Sequence, residues 1–435
     1  MIWNALTFQA GFNTTVVVLA AMLIGLAAGL IGSLALLRKR ALMADALSHA
    51  SLPGVAGAFI LMNLLGFSGK NLSVLLVGAA ITGVLAILSV QGLVRKTRLR
   101  EDAAIGIVLS VSFGVGIVLL SIIQSMPQGT QGGLGTFIYG QTAAMRTRDA
   151  IFMGCIAFVA IVATLLLLKE FAVVCFNDEF AKVTGWPVTI IDVAMMALVV
   201  LVTVAGLQAV GLLLIVALLI IPPTAARFWT NRLSRFVAVS GIFGAMSGYL
   251  GAVTSASAAG LPAGAVIVLT SGVIFTISLL LAPKRGMIAG IVQHQSLRIK
   301  LSIDHLVEAL LELQTNAHSS KLSSISDIAH HLGWTHGKAW RVALCARIAS
   351  LIKSTGNTHA LTEKGHRHAL RIARNHRLWE QYLISYADIA PSHVDWSVDQ
   401  VEHVLSEELV QRLEGALAQR GIIVPSLASI GAGTS

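Results

Sequence analysis

Long apolar runs dominate the first 283 positions. They cover 14–37, 41–66, 71–94, 103–124, 149–168, 189–207, 209–226, 236–251 and 262–283. A bilayer span takes about 20 mostly apolar residues. The pattern predicts eight or nine transmembrane helices, because the sixth and seventh runs share a Gly-rich junction at Gly206–Gly211 and the eighth is short. Beyond residue 300 the pattern changes. Ile303, Leu306, Val307, Leu310 and Leu311 recur as one face of an amphipathic helix. Ser324 to Trp334 predicts a capped short helix and turn, and Gly337 to Ile352 a second helix, which together have helix-turn-helix spacing. Leu361-Thr362-Glu363-Lys364-Gly365 predicts a wing strand, with helices following over 366–386 and 397–419.

Composition sharpens this division. The chain is 55% hydrophobic and only 12% charged, whereas soluble domains carry roughly 25% charge. That excludes a single soluble globular protein, a disordered tail and a disulfide-rich secreted domain. Cys155, Cys175 and Cys345 are far apart with no CxxC pair, so a zinc ribbon is excluded and a reducing compartment fits. The first run has no basic flank before it and no small-residue cleavage site soon after it, so no cleavable signal peptide is expected.

The net charge of +10 is unevenly placed. Residues 1–299 hold 18 Lys+Arg against 8 Asp+Glu, while residues 300–435 hold 13 of each and 11 of the 13 histidines. The basic excess therefore belongs to the apolar part, where positive loops orient spans. One set of loops carries Arg38-Lys39-Arg40, Arg95 to Arg100, Lys169, Lys182, Arg227, Arg232, Arg235, Lys284 and Arg285; the opposite set carries only Lys70, Arg146 and Arg148. With nine spans, this puts the N-terminus outside and residues 284–435 in the cytoplasm. The expected organisation is an all-α polytopic membrane domain over 1–285, a basic linker over 286–300, a winged-helix domain over 301–365, metal-binding or dimerisation helices over 366–420 and a tail over 421–435. Gly25/Gly29 and Gly244/Gly248 are GxxxG pairs that predict close helix packing.

The chemistry concentrates in the second span. If its helix starts near Arg40, His49 lies about 13 Å along it, inside the hydrocarbon. Asp45 and His49 are spaced i, i+4 and leave the same helix face. A carboxylate and an imidazole so placed can hold a divalent ion such as Mn²⁺, Fe²⁺ or Zn²⁺. The bland alternative is a neutral hydrogen-bonded pair that only packs helices; ionisable groups are costly in lipid, which favours function. Pro53-Gly54 is expected to loosen the helix just beyond. Asp149, Asp192 and Glu101-Asp102 lie at span ends and read as helix-end charges.

The matching blocks Asp45-Ala46-Leu47-Ser48-His49-Ala50-Ser51-Leu52-Pro53-Gly54, Glu101 to Ile107, Phe176 to Ala181 with Gly185, and Gln208 to Gly211 through Leu219 to Arg227 resemble the permease subunits of zinc, manganese and iron ABC importers, the ABC-3 family. The resemblance covers nearly all of 14–283. It implies an ATP-driven divalent metal importer with Mn²⁺ leading, then Zn²⁺ and Fe²⁺, in a bacterial-type inner membrane. It also implies a homo- or heterodimer fed by an extracytoplasmic metal-binding protein, with Asp45 and His49 in the metal path. No GxxxxGK[ST] phosphate cradle is present, so a separate ABC ATPase subunit is expected and the chain itself is no enzyme. Lys169 to Pro187 looks like the coupling helix, carried by Asp178, Glu179, Ala181 and Gly185. No cofactor is expected for transport itself.

The end of the chain resembles the iron- and manganese-dependent repressors of the diphtheria-toxin-repressor type over about 301–420, through Ala360 to Gly365, Asn375 to Leu383 and Val401 to Ser406. That likeness implies regulatory metal ligands at His376, Glu402 and His403, with Asp399 and Glu308 as further carboxylates and His305 where the manganese type has an Asp. Asp399, Glu402 and His403 share a helix face by spacing, as do His376 and Glu380. A metal-sensing brake on transport is the expectation. Two rivals stand beside it: a membrane-tethered metal-dependent DNA-binding regulator, disfavoured by the zero net charge of 300–435, and an ion-coupled secondary metal transporter.

Overall fold

The computed structural model describes residues 12–66, 71–125, 147–209, 211–257, 261–316, 323–356, 358–386 and 407–419. The chain divides into two compact units, Met1–Gly290 and Ile291–Ser435.

The first unit is helical: α1 (Phe12–Leu37), α2 (Ala41–Leu64), α3 (Leu72–Lys96), α4 (Glu101–Ser125), α5 (Thr147–Leu166), α6 (Leu168–Phe176), α7 (Asp178–Val183), α8 (Val188–Ala209), α9 (Leu212–Arg227), α10 (Leu233–Ser257) and α11 (Ala263–Leu281). Eight of these are long and apolar enough to cross a bilayer, and α9 is a shorter apolar helix. The Gly-rich junction does split the sixth and seventh runs: Gly211 ends the break with φ +93°, a conformation that favours glycine. The eighth run is not short, since α10 spans 25 residues.

Helix α1 is the centre of the unit, with Ile24, Ile31 and Leu34 fully buried. Its GxxxG pair, Gly25 and Gly29, meets the helix that carries the second pair. A Cβ on Gly25 would overlap the Gly244 carbonyl, and a Cβ on Gly29 would overlap that of Ser240. Gly248 sits equally tight against the Ala21 carbonyl. Helices in lipid have little hydrophobic reason to associate, so backbone approach through small residues replaces it. The peripheral α4 and α11 turn Val111, Val118, Leu269 and Val273 outward, the faces that hydrocarbon would cover.

Helix α2 stays helical through Pro53, contrary to the expected loosening. Gly54 serves packing instead, because a Cβ there would overlap the Gly78 carbonyl of α3. Pro53 still withdraws the N–H that would otherwise close onto the His49 carbonyl.

Helix α12 (Met287–Asn316) leads into the second unit, followed by β1 (Ser323–Ser324), α13 (Ile325–His331), α14 (His336–Ile348), β2 (Ile352–Thr355), β3 (Thr358–Leu361), α15 (Glu363–Tyr386) and α16 (Glu407–Gln419). The antiparallel sheet has order β1-β3-β2, with Lys353 opposite Ala360 and Ser323 opposite His359. Leu306, Val307 and Leu310 of α12 pack with Ile325, Ile328, Val342, Ala346 and Ile352, as the apolar periodicity predicts. Ser324 and Asp327 form a reciprocal capping box that starts α13. The wing is displaced from its expected place. It is the β2–β3 hairpin, while Thr362 ends it and caps α15, its hydroxyl accepting from the Gly365 N–H at 3.0 Å. The fold is thus a winged helix followed by further helices.

Candidate metal path and its ionic surroundings

Asp45 and His49 lie one turn apart on α2, with Asp45 Oδ1 and His49 Nε2 3.6 Å apart. That is too long for a hydrogen bond. Two ligands about 2.1 Å from one tetrahedral ion sit about 3.4 Å apart, so the spacing suits a shared cation better than direct closure. Among the described residues, nothing hydrogen-bonds the buried Nδ1 of His49. A buried polar atom without a partner is costly. The ring is held instead by the edge-on Phe113 of α4, centroids 5.0 Å apart at 84°. The side chain of Asp45 is 38% exposed and that of His49 17%, so the pair is open on the carboxylate side.

A second charged group lies at the start of the same helix, and sequence reasoning missed it. Asp192 of α8 is not a helix-end charge: it is buried and paired with both Arg38 and Arg40. Arg38 Nε donates to Asp192 Oδ1 at 3.2 Å and its Nη1 donates to the Val174 carbonyl at 3.1 Å. Its other nitrogen is 3.7 Å from Asp178 of α7. Arg40, which stands at the N-cap position of α2 with no side-chain cap bond, also pairs with Glu101 at the start of α4. One cluster therefore ties α2, α4, α6, α7 and α8. The Cys175 thiol beside it is pushed up to about 11, chiefly by burial.

Asp178, Glu179, Ala181 and Gly185 fall on or just after α7. Asn177 caps it, accepting from the Phe180 N–H at 2.9 Å, and Gly185 ends it with φ +84°. Ala181 is fully buried against Val174 and Val188. Phe180, Val183 and Trp186 remain exposed, an apolar set that the sequence reading did not single out.

In the second unit His305 and Glu308 lie on α12, both half-buried. His376 and Glu380 fall within α15, but their side chains lie outside the described residues, as do Asp399, Glu402 and His403 altogether. Among the described residues no group of three His, Cys, Asp or Glu side chains is placed to hold a metal. A neighbouring pair appears instead: buried Asp304 and His368, Oδ1 to Nε2 at 2.8 Å, joining α12 to α15.

Comparison with known proteins places both units. The Iron dependent repressor, metal binding and dimerisation domain matches residues 362–420. The manganese transport system membrane protein MntC of Bacillus subtilis is 39% identical over 301 residues, covering 69% of this chain and 68% of that protein. The zinc transport system membrane protein TroC of Treponema pallidum is 39% identical over 272 residues, covering 62% and 90%. A Chlamydia trachomatis protein named "Probable metal transport system membrane protein" is 28% identical over 417 residues and 92% of each chain, so the likeness runs through the second unit too. Among solved structures, PsaBC from Streptococcus pneumoniae in complex with Fab superposes with a TM-score of 0.56 at 30% identity, covering 66% of this chain and 98% of that one. The pattern of the ABC 3 transport family itself runs over residues 12–282, from the first described helix to the end of the last long apolar one, and the chain belongs to that family.

Proposed function

We propose that the chain is the membrane permease of an ATP-driven importer of divalent metal ions, with Mn²⁺ as the leading cargo and Zn²⁺ or Fe²⁺ behind it. The observation that carries this is the Asp45–His49 pair: a carboxylate and an imidazole inside an apolar helix, at ligand spacing, with no closed hydrogen bond between them. The relatives named for manganese and zinc transport support the cargo.

An ion delivered from outside by a metal-binding protein sheds water and is held between the Asp45 carboxylate and the His49 imidazole. Oxygen and nitrogen ligands suit Mn²⁺, Fe²⁺ and Zn²⁺ alike. The energy comes from a separate ABC ATPase. Phe180, Val183 and Trp186 on and after α7 are the surface that docks it. From there Arg38 touches both Asp178 and Asp192, and Arg40, directly before α2, shares Asp192, so a shift of α7 has a short route to the metal ligands. The permease works as a homo- or heterodimer in an inner membrane, with the N-terminus outside and the second unit in the cytoplasm, where Arg38-Lys39-Arg40 and Lys284-Arg285 also belong. The second unit is a regulatory domain; the match to metal-binding repressors over 362–420 supports that role.

The test is ⁵⁴Mn uptake into proteoliposomes holding the permease, its ATPase and its metal-binding protein. Uptake that needs ATP and vanishes in Asp45→Ala and His49→Ala supports the reading. Uptake that persists without the ATPase and collapses with an uncoupler supports a secondary transporter instead.

A further inference from the structure

We propose that the second helix of the helix-turn-helix, α14, is an anchor for the surface of an anionic bilayer and not a reader of DNA. Its inner face, Ala339, Val342, Ala343 and Ala346, is buried in the winged-helix core. Its outer face carries Trp340, Leu344 and Ile348, which are 56%, 44% and 78% exposed. These positions are spaced i, i+4, i+8. At 100° per residue they form a stripe about 80° wide. On the same wheel Arg347 falls about 20° to one side of Trp340, and Arg341 about 20° beyond Ile348. The order around the helix is thus Arg, Trp, Leu, Ile, Arg.

Charge supports one occupant. From Ile328 to Thr362 there is no Asp or Glu, and Lys338, Arg341, Arg347 and Lys353 are all exposed. A phosphate-bearing surface is therefore the partner. A major groove offers base-edge donors and acceptors, and three large apolar side chains at the centre of the face can use almost none of them. The headgroup zone of a bilayer takes both halves of the pattern, with the apolar stripe at the acyl boundary and guanidinium groups on lipid phosphates. The bilayer is also close along the chain. The last long apolar helix ends at Leu281 and the second unit begins at Ile291. Between them and just after lie Lys284, Arg285, Arg298 and Lys300, with no acidic residue from 193 to 303. Covalent attachment makes even a weak surface affinity effective. The inference goes beyond the transport reading and holds whatever ion the spans carry.

The test uses the full chain in nanodiscs of phosphatidylcholine, with or without phosphatidylglycerol. Hydrogen–deuterium exchange of the unmodified protein is expected to slow across 336–348 only in the discs with phosphatidylglycerol, and to recover in high salt. An environment-sensitive dye on Ile348→Cys, with the three native cysteines changed to Ser, is expected to shift to the blue and be quenched by brominated lipid in the same discs. Arg341→Gln with Arg347→Gln is expected to weaken that association roughly 25-fold, each cation near an anionic leaflet counting for about fivefold. Protection equal in both lipids, protection produced by duplex DNA and not by lipid, or dye-to-dye quenching between two copies on this face would each overturn the proposal.

Discussion

Asp192 and Asp45 are both carboxylates set in long apolar helices, and they are opposite solutions to one problem. Removing a charge from water is costly unless partners replace the water. Asp192 has two guanidinium groups and is almost wholly buried. Asp45 faces an imidazole at 3.6 Å and keeps over a third of its side chain exposed. The first site satisfies itself and holds helices together. The second is left open, which is what a site must be if an ion is to enter, be held and leave.

The largest expected effect tests the open site. Asp45→Ala and His49→Ala should each reduce ⁵⁴Mn uptake to the level of empty vesicles. Thermal unfolding of Asp45→Ala should shift by no more than about 1 kcal/mol, since its partly exposed, unclosed carboxylate contributes little to stability. Loss of folded protein in either variant would break the contrast, because the pair would then be structural.

Next comes the closed site. Asp192→Ala leaves Arg38 and Arg40 near one another without their shared counter-charge. Breaking a buried ion pair from one side costs about 3–5 kcal/mol. The expected outcome is a lower yield of monodisperse protein after mild heating, read by size-exclusion chromatography. A fully stable variant that simply fails to transport would make Asp192 part of the metal path and merge the two classes.

The two sites also differ in how far sequence could reveal them. Asp45 and His49 are four residues apart, so helical periodicity alone puts them on one face. Asp192 lies 152 and 154 residues from its arginines, and only tertiary packing brings them together. Its position at a span end fitted a dipole role equally well. The glycines show the same limit: both GxxxG motifs were legible, but not that they close on each other. In the winged helix the core face of α12 was readable from its periodicity, whereas the wing was misplaced. Thr362 and Glu363 suit a strand end and a helix start alike, and only the Thr362 hydroxyl bond to the Gly365 N–H decides between them.

A smaller effect reports on how tightly the closed site is packed. The Cys175 thiol sits against it with a pKa of about 11, raised mainly by burial and by Asp192 against the opposing pull of Arg38 and Arg40. The thiolate is the nucleophile, so its population at neutral pH is small and grows with pH up to about 11. With Cys155 and Cys345 changed to Ser, alkylation of Cys175 should therefore keep rising about tenfold per pH unit past 9, where an ordinary thiol levels off. In Asp192→Ala the site opens to water, and the plateau should come at lower pH with a faster rate at pH 8. Equal profiles would mean the cluster does not seal this region.

The smallest expected effect on stability concerns the third carboxylate, Asp178, which stands between the two types. It reaches Arg38 at 3.7 Å from a side chain 44% exposed. Exposed ion pairs at this distance contribute no more than about 1 kcal/mol and are screened by salt. Asp178→Asn should thus leave unfolding within about 0.5 kcal/mol of the parent and leave Cys175 as unreactive as before. If α7 passes the motion of an ATPase to α2 through Arg38, the same variant should still lower the metal taken up per ATP hydrolysed. Stability and coupling then separate in a single substitution. An unchanged uptake-to-hydrolysis ratio would confine Arg38 to the structural side of the comparison, and the route from α7 to Asp45 and His49 would have to run through the buried Ala181 contact instead.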